Sequence, residues 1–140
     1  MHSSKIEKFF NDYTGKNPEI LKNFYAENVS FVDPLGSIEG LSGLTRYYTN
    51  MYKGVKTIKF IFKNINASNN DYYAEWTMIY STDALKSGSE IKMDGLSHIR
   101  FNDQGLVIYH RDYFDMGAMV YEHVPVLGGA IRYIRKRLHD

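Results

Sequence analysis

Cysteine is absent from the 140 residues, so no disulfide scaffold, thiol nucleophile or thiolate metal site is open to this chain. Excess charge of one sign is missing too. Seventeen Lys and Arg face sixteen Asp and Glu, and a net charge of +1 supplies no general electrostatic footprint for nucleic acid. No apolar run approaches the ~18–20 residues of a membrane-spanning helix, and the polar start Met1-His2-Ser3-Ser4-Lys5 does not read as a signal peptide. Repeats, low-complexity segments and long linkers are also lacking. The expectation is a single domain over residues 1–140, cytoplasmic, with no nucleic-acid partner and no membrane span.

What the chain has in excess is aromatic surface. Fifteen per cent of its residues are Phe, Trp or Tyr, with 12 Tyr, 8 Phe and 1 Trp. So many large flat side chains in so short a protein point to a lined cavity, a large interface, or both.

Helical spacing opens the chain: Ile6, Phe9, Phe10 and Tyr13 form one apolar stripe. Thr14-Gly15-Lys16 ends it, and Asn17 is placed to cap a second helix that starts at Pro18 and buries Ile20, Leu21, Phe24 and Tyr25. A short strand from Val29 to Asp33 follows, stopped by Pro34 and Gly36. Leu41, Leu44, Tyr48 and Met51 then predict a third helix. From residue 57 the period becomes two. Strands are expected over Thr57–Ala67, Tyr72–Ser81, Glu90–Phe101 and Leu106–Phe114, with turns at Ser68–Asp71, near Lys86-Ser87-Gly88 and at Asn102–Gly105. After Met116 the pattern is helical again, interrupted at Pro125 and Gly128-Gly129, and ends in Ala130–Leu138. Helices first and a meander afterwards predict an α+β fold with the helices on one face of an antiparallel-rich sheet.

Alternation in the last strand decides which groups share a face. His110, Asp112 and Phe114 point one way; Tyr109, Arg111 and Tyr113 point the other. If the first set faces the helices, a His and an Asp are held inside, where an unpaired charge is costly. They are then either candidate acid/base groups or a structural hydrogen-bonded pair. Asp33 is the other carboxylate of interest, sharing its strand face with Phe31, although Asp33-Pro34-Leu35-Gly36 also suits a plain strand-ending turn. Phe60, Phe62, Trp76, Met78 and Tyr80 are positioned to line a cavity or to pack a core, and Tyr13 and Tyr48 to present hydroxyls to it. His110 and Asp112 supply only two metal ligands with no evident third, so no metal and no cofactor is expected.

The segment Phe24-Tyr25-Ala26-Glu27-Asn28-Val29-Ser30-Phe31-Val32-Asp33-Pro34-Leu35-Gly36-Ser37 resembles the corresponding region of ketosteroid isomerases. Ser97-His98-Ile99-Arg100-Phe101-Asn102, followed by Gly105, is similar to their penultimate strand. The run His110-Arg111-Asp112-Tyr113-Phe114-Asp115 is similar instead to SnoaL-type polyketide cyclases and limonene epoxide hydrolases. All belong to the nuclear transport factor 2-like superfamily, and the order of elements matches it from end to end. The resemblance implies a cone, in which a curved sheet wraps around the N-terminal helices and encloses one deep, mostly apolar cavity.

Site roles follow from that resemblance residue by residue. Asp33 takes the place of the isomerase's general base, but the isomerase's oxyanion-hole tyrosine meets Phe9 here and its protonated aspartate meets Ser97. Two donors that would stabilise a developing enolate are thereby lost. Asp112 matches one carboxylate of the hydrolase set, whereas the other two hydrolase positions carry Trp76 and Met78. The cyclase match is the fullest: Asp112 takes the place of the catalytic acid/base, and His98 lies fourteen residues before it. Alternation nevertheless puts Ser97 on the cavity face and His98 on the outer one, where the isomerases dimerise.

Together these readings predict a small enzyme that moves protons on a compact apolar or cyclic organic ligand, as isomerases, cyclases and dehydratases do. Its catalytic set would be Asp33, Asp112 and His110, and its ligand-binding set Tyr13, Phe31, Tyr48, Phe60, Trp76, Met78, Ser97 and Phe114. The alternative is a non-catalytic ligand-binding or dimerising adaptor module of the same fold. A homodimer is expected through an outer sheet face carrying His98, Arg100, Tyr109 and Tyr113. The basic tail Arg132–Leu138 suits either a helix end or contact with an anionic surface.

Overall fold

In the computed structural model of the chain, residues 2–83, 88–115, 117 and 127–139 are described. Helix α1 (Ser3–Asp12) buries Ile6, Phe9 and Phe10, as the stripe predicts. Asn17 does not cap a second helix. Its amide instead donates to Asp12 O (2.9 Å) and accepts from Thr14 N (2.9 Å), tying off the end of α1. The expected second helix is reduced to a 3₁₀ turn, Pro18–Ile20, and a single α-helical turn α2, Leu21–Phe24. Tyr25 already belongs to strand β1 (Tyr25–Asp33), because it pairs with Val107 far along the chain. Long-range pairing has overridden helical spacing here.

Pro34 and Leu35 do not end the sheet but turn the chain into a short strand β2 (Gly36–Glu39), whose Gly36 pairs with Asp33. Helix α3 (Leu41–Met51) follows and buries Leu44. The meander is then built from β3 (Val55–Ser68), β4 (Asp71–Thr82), β5 (Ile91–Phe101) and β6 (Val107–Phe114), within a residue or two of expectation. Asn69 adopts a positive φ of 58° at the β3–β4 turn, a conformation Asn tolerates well. Of the expected turn at Lys86-Ser87-Gly88, the first two residues lie outside the described residues. So do Met116 and Pro125. The final helix α4 (Leu127–His139) runs straight through Gly128 and Gly129 rather than starting after them, and the Arg135 guanidinium pairs with Asp115 at the end of β6.

The six strands form one curved, unclosed sheet in the order β2-β1-β6-β5-β4-β3, antiparallel throughout except for the parallel β1–β6 pair. Register shifts in β1, β3 and at Arg100/Phe101 mark the bulges at which such a sheet bends. Helices α1 and α3 pack into its concave side, α1 against β3 and α3 against β1. The fold is therefore the expected α+β arrangement. The core is strongly aromatic: Phe9 stacks on Phe24 at 4.2 Å, and Phe10 meets Phe60 and Phe62 edge-on. No helix among the described residues is long and apolar enough to cross a membrane.

Candidate functional site

A cavity of about 280 Å³ opens between the helices and the concave face of the sheet. Helix α1 contributes Phe9, Phe10 and Tyr13 to its wall, and α3 contributes Tyr47, Tyr48 and Met51. Strand β1 contributes Phe31 and Asp33, β3 Phe60, and β4 Trp76, Met78 and Tyr80. Met93 comes from β5, and the last strand supplies His110, Asp112 and Phe114. Alternation along β6 thus aims the ionisable pair inward as predicted, and Asp33 and Asp112 face the same space. Lys53 stands exposed at the cavity edge.

A line of hydrogen bonds runs through this wall. Trp76 Nε1 donates to Ser97 Oγ at 2.9 Å, and Ser97 Oγ donates to Asp112 Oδ1 at 2.5 Å. The same Oδ1 lies 2.6 Å from His110 Nε2. On the far side of the imidazole, Nδ1 is 2.7 Å from the Tyr25 hydroxyl, which is 2.8 Å from the Tyr48 hydroxyl. Phe31 packs edge-on against the His110 ring at 5.0 Å, while Phe10 and Tyr25 lie nearly parallel to it. Six residues from α3, β1, β6, β5 and β4 are joined in one series. Burial pushes the Tyr25 and Tyr48 phenols far above their usual range, and the nearby Asp112 carboxylate adds to the rise in both. Both therefore stay neutral hydroxyls at any physiological pH.

Two expected site residues are almost fully buried. Ser97 does not line the cavity; it is fully buried behind Asp112, and its one proton goes to that carboxylate. His110 lines the wall with its ring, but it is 1% exposed and both ring nitrogens are engaged by protein groups. Asp112 is the more open of the pair, its side chain 17% exposed. Among the described residues, hydrogen bonds reach only its Oδ1, which leaves Oδ2 without a protein donor. Asp33 is more enclosed. Its Oδ1 accepts from Leu35 N at 2.9 Å and its Oδ2 from the Tyr47 hydroxyl. Burial together with that bond to Asp33 pushes the Tyr47 phenol up, so the proton stays on Tyr47. Tyr13 lines the cavity with its ring, but its buried hydroxyl has no hydrogen-bond partner among the described residues; the Thr49 hydroxyl beside it donates to Thr45 O.

Tyr25, Tyr47 and Gly95 escaped the sequence reading. Tyr25 was assigned to a helix, where its strand neighbours are invisible. Tyr47 lies one residue outside the Leu41-Leu44-Tyr48-Met51 stripe, so helical spacing selects Tyr48 and passes over it. Gly95 matters because it has no side chain: a Cβ there would lie 2.2 Å from Cη2 of Trp76, so the indole lies flat across β5 and reaches Ser97. On the opposite face of the sheet, His98 and Arg100 both bond to Asp71, at 2.7 and 2.8 Å, and His98 stacks on Tyr73. The outward placement of His98 agrees with the alternation. No group of three metal-ligating side chains occurs among the described residues.

The curved, unclosed six-stranded sheet with its helices is the fold of nuclear transport factor 2-like proteins. Within that class the chain belongs to the SnoaL-like domain family, whose model matches residues 6–110. No curated protein matches the sequence. Among solved structures, the chain is similar to a Catenulispora acidiphila protein with a ketosteroid isomerase-like fold, in complex with trimethylamine. That match has a TM-score of 0.74 and 12% identity, covering 86% of this chain and 92% of that one. A Jannaschia protein named for the SnoaL-like polyketide cyclases aligns with a TM-score of 0.72 and 11% identity, over 83% and 86% of the two chains. An LEH-like epoxide hydrolase from M. tuberculosis aligns with a TM-score of 0.68 and 17% identity, over 83% and 84%. At these identities the likeness is one of fold.

Proposed function

We propose that this chain is a small enzyme that transfers protons on a compact, largely apolar cyclic ligand held in the cavity, with Asp112 as the principal acid/base group and Asp33 as a second carboxylate. One observation carries the reading. Oδ1 of Asp112 is fixed by Ser97 and His110, while Oδ2, which has no protein donor among the described residues, belongs to a side chain that lines an aromatic cavity. A carboxylate that is anchored on one oxygen and open on the other is oriented for proton transfer without being consumed by structure. The volume of about 280 Å³, at the lower end for small-molecule pockets, suits a ligand of one or two rings. Names among the structural neighbours, a polyketide cyclase and an epoxide hydrolase, agree with chemistry on ring compounds.

Binding without turnover is favoured by one specific feature, the enclosure of Asp33, both of whose oxygens accept protein hydrogen bonds. Thermal-shift screening of small cyclic compounds, followed by Asp112→Asn and Asp33→Asn, separates the two readings. Enzyme chemistry predicts that Asp112→Asn retains binding and abolishes turnover; hits that bind both variants fully and are never converted by the wild type favour the module. A homodimer is part of the proposal, paired through the outer face around Tyr73, His98, Arg100, Tyr109 and Tyr113, where two exposed tyrosines flank the Asp71 cluster. Light scattering at micromolar concentration that returns 16 kDa would refute it.

A further inference from the structure

The geometry points to Tyr48 as the group that meets a hydroxyl of the ligand, with Tyr25 and His110 carrying that hydroxyl's proton inward. The inference rests on the reading of the cavity as a ligand site. It adds a substrate class, a ring bearing an enol or phenol hydroxyl, and a route for the proton.

Its basis is a count of protons along the hydrogen-bonded series. Trp76 Nε1 can only donate, so Ser97 Oγ accepts from it and gives its own single proton to Asp112 Oδ1. An ionised Asp112 only accepts, which places a proton on His110 Nε2. With the imidazole taken as neutral, its Nδ1 is bare and the Tyr25 hydroxyl donates to it. The Tyr25 oxygen accordingly accepts from Tyr48, whose only proton is used inside the protein. Toward the cavity Tyr48 offers lone pairs alone. It therefore selects a ligand group that donates.

A ligand hydroxyl placed there completes a wire. As the ligand O–H bond breaks, its proton passes to the Tyr48 oxygen, the Tyr48 proton passes to Tyr25, and the Tyr25 proton passes to His110 Nδ1. Every bond broken is matched by one formed, and no other reactant enters. All three hydrogen bonds reverse, so Tyr48 ends by donating to the new ligand oxyanion, and the imidazolium rests against the Asp112 carboxylate at 2.6 Å. The array removes a proton and then stabilises the anion left behind. Groups facing His110 are few: Asp112 on its own strand, Tyr25 and Phe31 from β1, and Phe10 from α1. Asp112 is the one charged side chain in contact with the ring among the described residues. Tyr25 and Tyr48, held neutral by burial, relay the proton and do not store it.

Calorimetry with 2-naphthol and 2-methoxynaphthalene tests the polarity of Tyr48. The wild type is expected to prefer the naphthol by about tenfold, the worth of one net hydrogen bond. Tyr25→Phe frees the Tyr48 proton to point into the cavity, and the preference disappears or reverses toward the ether. Equal binding of both compounds by the wild type, or a preference that survives in Tyr25→Phe, overturns the relay while leaving the ligand cavity intact. Binding of neither compound removes the cavity reading and the relay with it. A ligand-free measurement covers a variant that does not fold. Nitrogen-15 spectra of the wild-type His110 ring near neutral pH should show protonated Nε2 and bare Nδ1, and the opposite neutral tautomer overturns the assignment.

Discussion

Gly95→Ala is the sharpest perturbation of the site's scaffold, because its sign opposes the usual rule. Replacing Gly by Ala where the backbone allows it stabilises a protein by about 0.4–1 kcal/mol, and Gly95 is not one of the positive-φ glycines. Here the new methyl would lie 2.2 Å from Cη2 and 2.6 Å from Cζ2 and Cζ3 of the Trp76 indole, well inside contact distance. The indole is buried and must move. Overpacking of this kind costs about 1–3 kcal/mol, and loss of the Trp76–Ser97 hydrogen bond adds about 1 kcal/mol. A net loss near 3 kcal/mol corresponds to a fall of roughly 10 °C in Tm for a chain of this length. Urea denaturation followed by tryptophan emission is well suited to the measurement, since Trp76 is the chain's single tryptophan and sits at the perturbed contact. The double variant Gly95→Ala/Trp76→Phe should recover part of the loss, giving a coupling above about 0.5 kcal/mol. Stability within about 0.5 kcal/mol of wild type, with unchanged emission, would refute the placement of the indole.

The remaining predictions concern single hydrogen bonds. Ser97→Ala leaves the buried Trp76 N–H without an acceptor and is expected to cost about 1–3 kcal/mol by chemical denaturation. Tyr13→Phe removes a buried hydroxyl that has no partner among the described residues, so thermal unfolding should show a gain of about 1 kcal/mol, and a loss would mean that the hydroxyl is bonded. Burial raises the Asp71 carboxyl, but hydrogen bonds from His98 and Arg100 outweigh it and hold the group below the usual range of an aspartate. A depressed folded value stabilises above the unfolded one and is lost as pH falls through the folded one. The stability difference between wild type and Asp71→Asn should therefore be constant from neutral pH down to about 4 and shrink below that; a difference unchanged at lower pH would contradict it.

Periodicity made the cavity wall legible and left its polar interior hidden. In β6 the two-residue period sent His110, Asp112 and Phe114 to one face without any knowledge of partners, because side-chain direction in a strand is local. The stripe of α1 was equally direct. Tyr25 failed for the opposite reason: its place in β1 depends on a parallel partner more than eighty residues away, and short-range spacing pulls it toward the helix before it. Gly36 signals a stop in the sequence yet begins β2, since a turn signal does not say whether the chain comes back to pair. Gly128 and Gly129 weaken a helix without forbidding one, and α4 includes both. The series from Trp76 to Tyr48 draws on five elements, so no window of sequence contains it.

Proton transfer at Asp112 is most directly tested with 2-tetralone, a two-ring ketone with acidic C–H bonds beside its carbonyl. Incubated with the protein in deuterium oxide, it should take up deuterium faster than in buffer alone, as read by mass spectrometry. Asp112→Asn, folded by circular dichroism, should return the rate to the buffer level. Equal rates for wild type and Asp112→Asn, with 2-tetralone shown to be bound, would contradict the assignment of Asp112 as the group that moves the proton.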